Sequence, residues 1–238
     1  MTQQSICKLK LLFLSVSLIT TVLNAQNPEE KKDSLVNENT ESTSLKKKAA
    51  KGDVFVGVDV FLPSLSLFSD RKEFQAMIQY RLHNAWHVVA EAGYGKNKYD
   101  ENGWQSEVDG TFGKIGFNWF LSEDKQNINN GFYAGLRFAY ANYNQTFHKY
   151  PIRDVTTGNV VDVGSLPQKK VDAYWTEIVV GARLDLVKNL CIDFSLHPAF
   201  YIGVKRDNGF EPKIIPGYGR NTTTMNLPVF WGITYKLF

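Results

Sequence analysis

From Asp53 to its C terminus the chain alternates apolar residues with polar or small ones, stretch after stretch. A period of two puts successive side chains on opposite faces of an extended strand, so each stretch reads as a β-strand with two unlike faces. The last is the clearest. Met225, Leu227, Val229, Trp231, Ile233, Tyr235 and Leu237 share one parity, while Asn226, Gly232, Thr234 and Lys236 share the other. Seven earlier stretches behave alike, over residues 54–61, 73–82, 86–95, 114–121, 132–141, 174–185 and 190–203.

The two faces differ in charge. Across all eight segments the bulky apolar parity carries none. The opposite parity carries six acids (Asp59, Glu73, Glu91, Glu177, Asp185, Asp193) and five bases (Arg81, Lys114, Arg137, Arg183, Lys236). Glycine follows the charges: Gly57, Gly93, Gly95, Gly116, Gly135, Gly181, Gly203 and Gly232 sit on that face, and only Gly113 opposes them. A closed barrel of about eight strands has just enough interior for side chains, so small residues belong inside. The bulky apolar face then points outward, where lipid accepts it. A soluble lipocalin-like barrel would show the reverse arrangement, and a β-sandwich gives no reason for glycines to follow the charges.

Connection lengths point the same way, because membrane barrels have short periplasmic turns and longer extracellular loops. The turns His83 to Ala85 and Val187 to Asn189 are tight, whereas Lys96 to Gly110, Asn144 to Val171 and Val204 to Thr224 are long. Leu62 to Lys72 and Ser122 to Asn130 are intermediate. With both termini periplasmic, the three longest connections lie outside the cell. Pro198 and Pro228 fall inside strand patterns. Proline removes a ladder hydrogen bond, so a bulge or the rim is expected near each.

The N-terminal part reads differently. Met1 to Ala25 has a basic start at Lys8 and Lys10, an apolar run from Leu11 to Leu23 and a small residue at Ala25, the layout of a secretory signal peptide. Gln26 to Gly52 is polar, with little to bury, and reads as a disordered periplasmic tail. Its Asp33-Ser34-Leu35 resembles the short acceptor motif of bacterial O-glycosylation, against an unmodified linker. Cleavage after Ala25 leaves Cys191 alone, which excludes a disulfide framework within the chain. A net charge of +3 gives no basic footprint for nucleic acid.

Two sets of residues invite a functional reading. The inward charges, with His87 and His197, should pair into a polar network that fills the lumen, because unpaired burial is costly. Asp193, Ser195 and His197 have the residue types of a hydrolase triad. Same-face neighbours on one strand stand about 6.6 Å apart, whereas a nucleophile and its base need about 3 Å. That spacing favours the network reading. In the loops, Lys205, Arg206, Tyr218 and Arg220 are candidates for contacting anionic headgroups or surface glycans, against plain solvated loops. No metal or cofactor is expected.

The strand ending in Phe238 resembles the assembly signal that the outer-membrane insertion machinery reads, although Lys236 rather than an aromatic stands two before the end. The runs GVDVFLPSLSLF, GFYAGLRFAYANYNQTF, WTEIVVGARLDLVKNLCIDFSL and IIPGYGRN resemble a Bacteroidetes-type domain-of-unknown-function family, number 6048, over roughly Val54 to Phe238. That resemblance implies an outer-membrane location and a barrel fold, and no activity.

The expectation is therefore an all-β, eight-stranded, antiparallel up-and-down transmembrane β-barrel over residues 53–238. Its expected contacts are outer-membrane lipid, the insertion machinery and an extracellular or periplasmic partner. The leading function is non-enzymatic surface binding through the long loops. An accessory subunit of an export or assembly machine and a lipid-modifying enzyme are the alternatives.

Overall fold

The alternating segments form strands, and hydrogen bonds between neighbours close them into a ring. The computed structural model describes residues 52–83, 85–121, 129–187, 189–206, 211–221 and 225–237. The signal peptide, the tail as far as Lys51 and the terminal Phe238 lie outside these residues. The strands are β1 (Val54–Asp59), β2 (Arg71–His83), β3 (Trp86–Glu101), β4 (Trp104–Phe120), β5 (Gly131–Arg153) and β6 (Val160–Val187). They continue with β7 (Leu190–Leu196), β8 (Ala199–Arg206), β9 (Ile214–Ile215), β10 (Gly219–Arg220), β11 (Met225–Asn226) and β12 (Val229–Lys236). Antiparallel pairing runs β1 to β6 in sequence, then β6 to β7, β7 to β12, and β12 back to β1. The result is a ring of eight strands.

Its seventh and eighth members are each broken. His197-Pro198 separates β7 from β8, and Leu227-Pro228 separates β11 from β12. The prolines interrupt the strands without reversing their faces: Ala199 remains buried, and Phe200 and Ile202 remain exposed. Ladder contact persists through the proline carbonyls. Pro198 O accepts from Ile178 N and Pro228 O from His197 N, both at 2.9 Å.

Two of the three long connections are not loops. β3 and β4 run on to a two-residue turn at Asn102-Gly103, where both residues take positive φ (55° and 80°), as a tight hairpin turn requires. β5 and β6 likewise extend past the ring. In the strand ladder Tyr150 to Arg153 pair only with the stretch from Val160 to Gly164, forming a two-stranded ribbon. The intermediate connection after β1 contains a short helix, α1 (Phe61–Ser66). Asp59 Oδ1 accepts the N–H groups of Phe61 (2.7 Å) and Leu62 (3.3 Å), so β1 ends there rather than at Phe61.

Burial divides the ring sharply. The interior holds the charged and small residues, and the exterior shows Phe74, Ile115, Trp119, Phe132, Phe138 and Ile178, each more than 45% exposed. Interior glycines make room for rings: a Cβ on Gly93 would meet Phe112 Cζ at 2.2 Å, and one on Gly181 would meet Tyr133 Cζ at 2.5 Å. Above the charges lies an aromatic layer of Tyr99, Phe112, Tyr143 and Trp175. The segment from Ile214 to Tyr218 folds down onto it, with Ile215 fully buried. Among the described residues no helix is long and apolar enough to cross a membrane.

Candidate functional site

Alternation aims the charged residues of several strands at one enclosed space, and register decides which of them meet. At mid-height, Arg137 Nε donates to Glu91 Oε1 at 2.8 Å. Lys114 Nζ stands 2.9 Å from Glu177 Oε1 and 3.9 Å from Glu91 Oε2. Gln75 Nε2 donates to Glu91 (2.8 Å) and Trp175 Nε1 to Glu177 (2.7 Å). Lower down, Arg183 holds Asp193 at 2.6 Å and donates to Gln79, while the Tyr133 hydroxyl donates to the other oxygen of Asp193. Near the turn end, Arg81 (2.8 Å) and Lys236 (2.9 Å) share Asp53, and Arg81 Nε donates to His87. Asp185 accepts from Asn129. At the opposite end Glu73 pairs with Arg71 at 2.5 Å and accepts from Asn97.

Asp59 departs from the expected network. Its carboxylate serves the first turn of α1, and no ion pair to it forms among the described residues. Asp53 and Arg71, which sequence reasoning left out, supply pairing instead. Both lie just outside the segments whose alternation identified the others.

The structure also corrects the spacing argument about Ser195 and His197. Their backbones stand a strand repeat apart, but the side chains lean together, so that Ser195 Oγ lies 2.8 Å from His197 Nε2. His197 Nδ1 lies 2.8 Å from Glu177 Oε2 on the neighbouring strand. Hydroxyl, imidazole and carboxylate thus form a continuous relay, in the order that nucleophilic catalysis uses. Asp193, the acid the sequence placed beside them, is engaged elsewhere with Arg183 and Tyr133. Nothing local in the sequence announces Glu177. It reaches His197 because β6 pairs with both β7 and β8 across the proline break. All three relay residues are at most 3% exposed.

Glu91, Glu177 and His197 also bring one ligand atom each within 4.8 Å of one another. The Lys114 ammonium already stands between the two carboxylates and supplies the positive charge there.

The loop candidates fare unequally. Tyr218 is buried, its ring against Trp175 and Tyr201, so it is part of the cap over the interior and not a presented contact. Arg220 is exposed and pairs with Glu101 at 2.7 Å. Lys205 is exposed near the end of β8, and Arg206 is the last residue of that strand. Lys213 lies over the Trp104 ring at 4.4 Å. Lys213 and Arg220 thus both rest on the β3–β4 hairpin tip, where Trp104 and Glu101 are cross-strand partners, and each is already engaged there.

Together these features define an all-β protein with a ring of eight antiparallel strands, a charged and filled interior and an apolar exterior. The family described as Domain of unknown function (DUF6048) matches residues 6–237, and the chain belongs to it. No curated protein matches the chain in sequence. The family description states no activity.

Proposed function

We propose that the protein is an eight-stranded outer-membrane β-barrel that is plugged rather than open and displays the β5–β6 ribbon to a partner outside the cell. The observation that carries this reading is the inverted partition of the ring. Large apolar side chains cover its outside, and ion pairs fill its inside. Water rewards the opposite arrangement; a hydrocarbon exterior rewards this one. Lys114, Arg137 and Arg183 are each engaged within the interior, and the segment from Ile214 to Tyr218 caps it, which supports a scaffold over a channel.

The ribbon supports the partner reading. Beyond the ring it carries Ile152, Val155, Val160, Val161 and Val163 in exposed positions, apolar residues with no fold-internal role. Cells producing the full chain test both parts. Outer-membrane fractionation should recover the protein in a form that migrates faster before boiling than after. External protease should cut the ribbon alone, and deletion of Tyr150 to Gly164 should keep the fold and abolish partner co-purification. Recovery as a soluble periplasmic protein would overturn the reading.

A further inference from the structure

We propose that Ser195, His197 and Glu177 are an ester-cleaving relay, and that a membrane lipid reaches it sideways through the wall of the ring. The lipid assignment rests on the membrane reading above; the relay geometry does not.

The relay has the parts that such chemistry needs. Ser195 Oγ and His197 Nε2 are within hydrogen-bond reach, and Glu177 fixes the imidazole through Nδ1. Glu177 is itself held by Trp175 and Lys114, so the orienting carboxylate cannot swing away. A nucleophile, its base and an orienting group in this order are recognised by geometry, on any fold.

The strands of the wall are interrupted beside the relay. Pro198 and Pro228 remove ladder donors from adjacent members of the ring, and α1 stands where β1 would otherwise continue. Between Pro228 and α1 lies a recess of about 100 Å³. Its lining runs from the exposed Leu227 and the half-buried Phe61 and Leu65, on one side, past the Arg71–Glu73 pair to the buried Lys114 and His197. That volume is well below the roughly 300 Å³ that a whole small-molecule ligand needs. It admits an ester group and a few methylenes while the rest of the substrate stays outside, against the apolar wall. A lipid ester, its chains against the apolar outer face and its polar part beside Arg71, fits that description.

Phe230 connects the recess to the serine's strand. It lines the recess, is the cross-strand partner of Ser195, and has its ring 6.4 Å from that of His197. In the proposed path this ring turns aside to let the ester reach the hydroxyl. Ser195 Oγ then adds to the ester carbonyl carbon while its proton passes to His197 Nε2. Lys114, a buried cation that lines the same recess beside His197, faces the negative charge that develops on the carbonyl oxygen. Collapse breaks the bond to the lipid alcohol, which leaves with the proton from His197. Water, deprotonated by His197, cleaves the acyl-serine, releases the fatty acid and restores the hydroxyl.

The test uses the full chain in isolated membranes, treated with a long-alkyl fluorophosphonate and, separately, with a short water-soluble one. Peptide mass spectrometry should find the phosphonate on Ser195 with the long-alkyl probe. Ser195→Ala should abolish labelling, and His197→Gln should slow it by about 100-fold or more. Phe230→Ala should speed it. An unlabelled Ser195 in the wild-type protein overturns the relay even if the variants fail to fold. Labelling by the short probe alone overturns the lipid substrate. Membrane fractionation is scored separately, so failure of the location and failure of the chemistry are distinguishable.

Discussion

The inner and outer faces of the ring are built from the same strands, residue by residue, yet they obey opposite rules. On the inside, position is everything: Arg183 has Asp193 and Gln79, Arg137 has Glu91 and Asn118, and Lys114 has Glu177. On the outside, residues such as Ile115 and Phe132 need only be apolar. The contrast shows that specificity of this fold resides in the interior, while its solvent is chosen by the exterior.

The sharpest break of that contrast is on the inside. Arg183→Ala leaves Asp193 buried without its cation, and removing one partner of a buried pair costs about 3–5 kcal/mol. Denaturant unfolding in detergent micelles should show that loss, and the double variant Arg183→Ala with Asp193→Ala should recover part of it. On the outside, Ile115→Arg should cost about 2–4 kcal/mol if it faces mid-bilayer hydrocarbon. A water-facing position would change by no more than about 0.5 kcal/mol. Unfolding measured in lipid vesicles separates the two values.

Packing inside supplies a smaller effect. Gly93→Ala places a methyl group 2.2 Å from Phe112 Cζ and 2.5 Å from Phe74 O, an overpacking expected to cost about 1–3 kcal/mol. The corresponding change at Gly113, on the outer face, meets nothing closer than 3.8 Å and should be nearly neutral.

The smallest effect lies beyond the ring, at the ribbon tip. The N–H groups of Thr157 and Thr156 hold the Asp154 carboxyl below the usual carboxylate range. Its contribution to the tip is therefore present above the unfolded carboxylate pKa and is lost as pH falls through the lowered folded value. The protection factors of the Thr156 and Thr157 amides, taken relative to intrinsic exchange at each pH, should fall on acidification and in Asp154→Ala. No change should reach the ring.

Much of this contrast was legible in the chain. Alternation, together with the glycine and charge parities, assigned the facing of Glu91, Lys114, Arg137 and Glu177, because a strand offers only two faces. The Asn102-Gly103 turn was also written in the sequence, though the connection was read as a loop around it. α1 was missed although Asp59 precedes it by two residues and Pro63 stands in its first turn, where its missing N–H forfeits no helical hydrogen bond. Pairing inside the ring was not legible. Glu177 meets His197 through inter-strand register and the irregularity between Tyr174 and Trp175, which depends on the whole closed ring rather than on any local pattern. For the same reason a spacing rule along one strand misjudged Ser195 and His197.

The central claim is that the apolar face meets lipid. A nitroxide at Ile115→Cys, in a background with Cys7 and Cys191 replaced by serine and in reconstituted vesicles, measures it directly. Oxygen, which concentrates in hydrocarbon, should relax this label strongly, and a water-soluble nickel chelate should barely reach it. Strong relaxation by the nickel chelate and weak relaxation by oxygen would contradict the account.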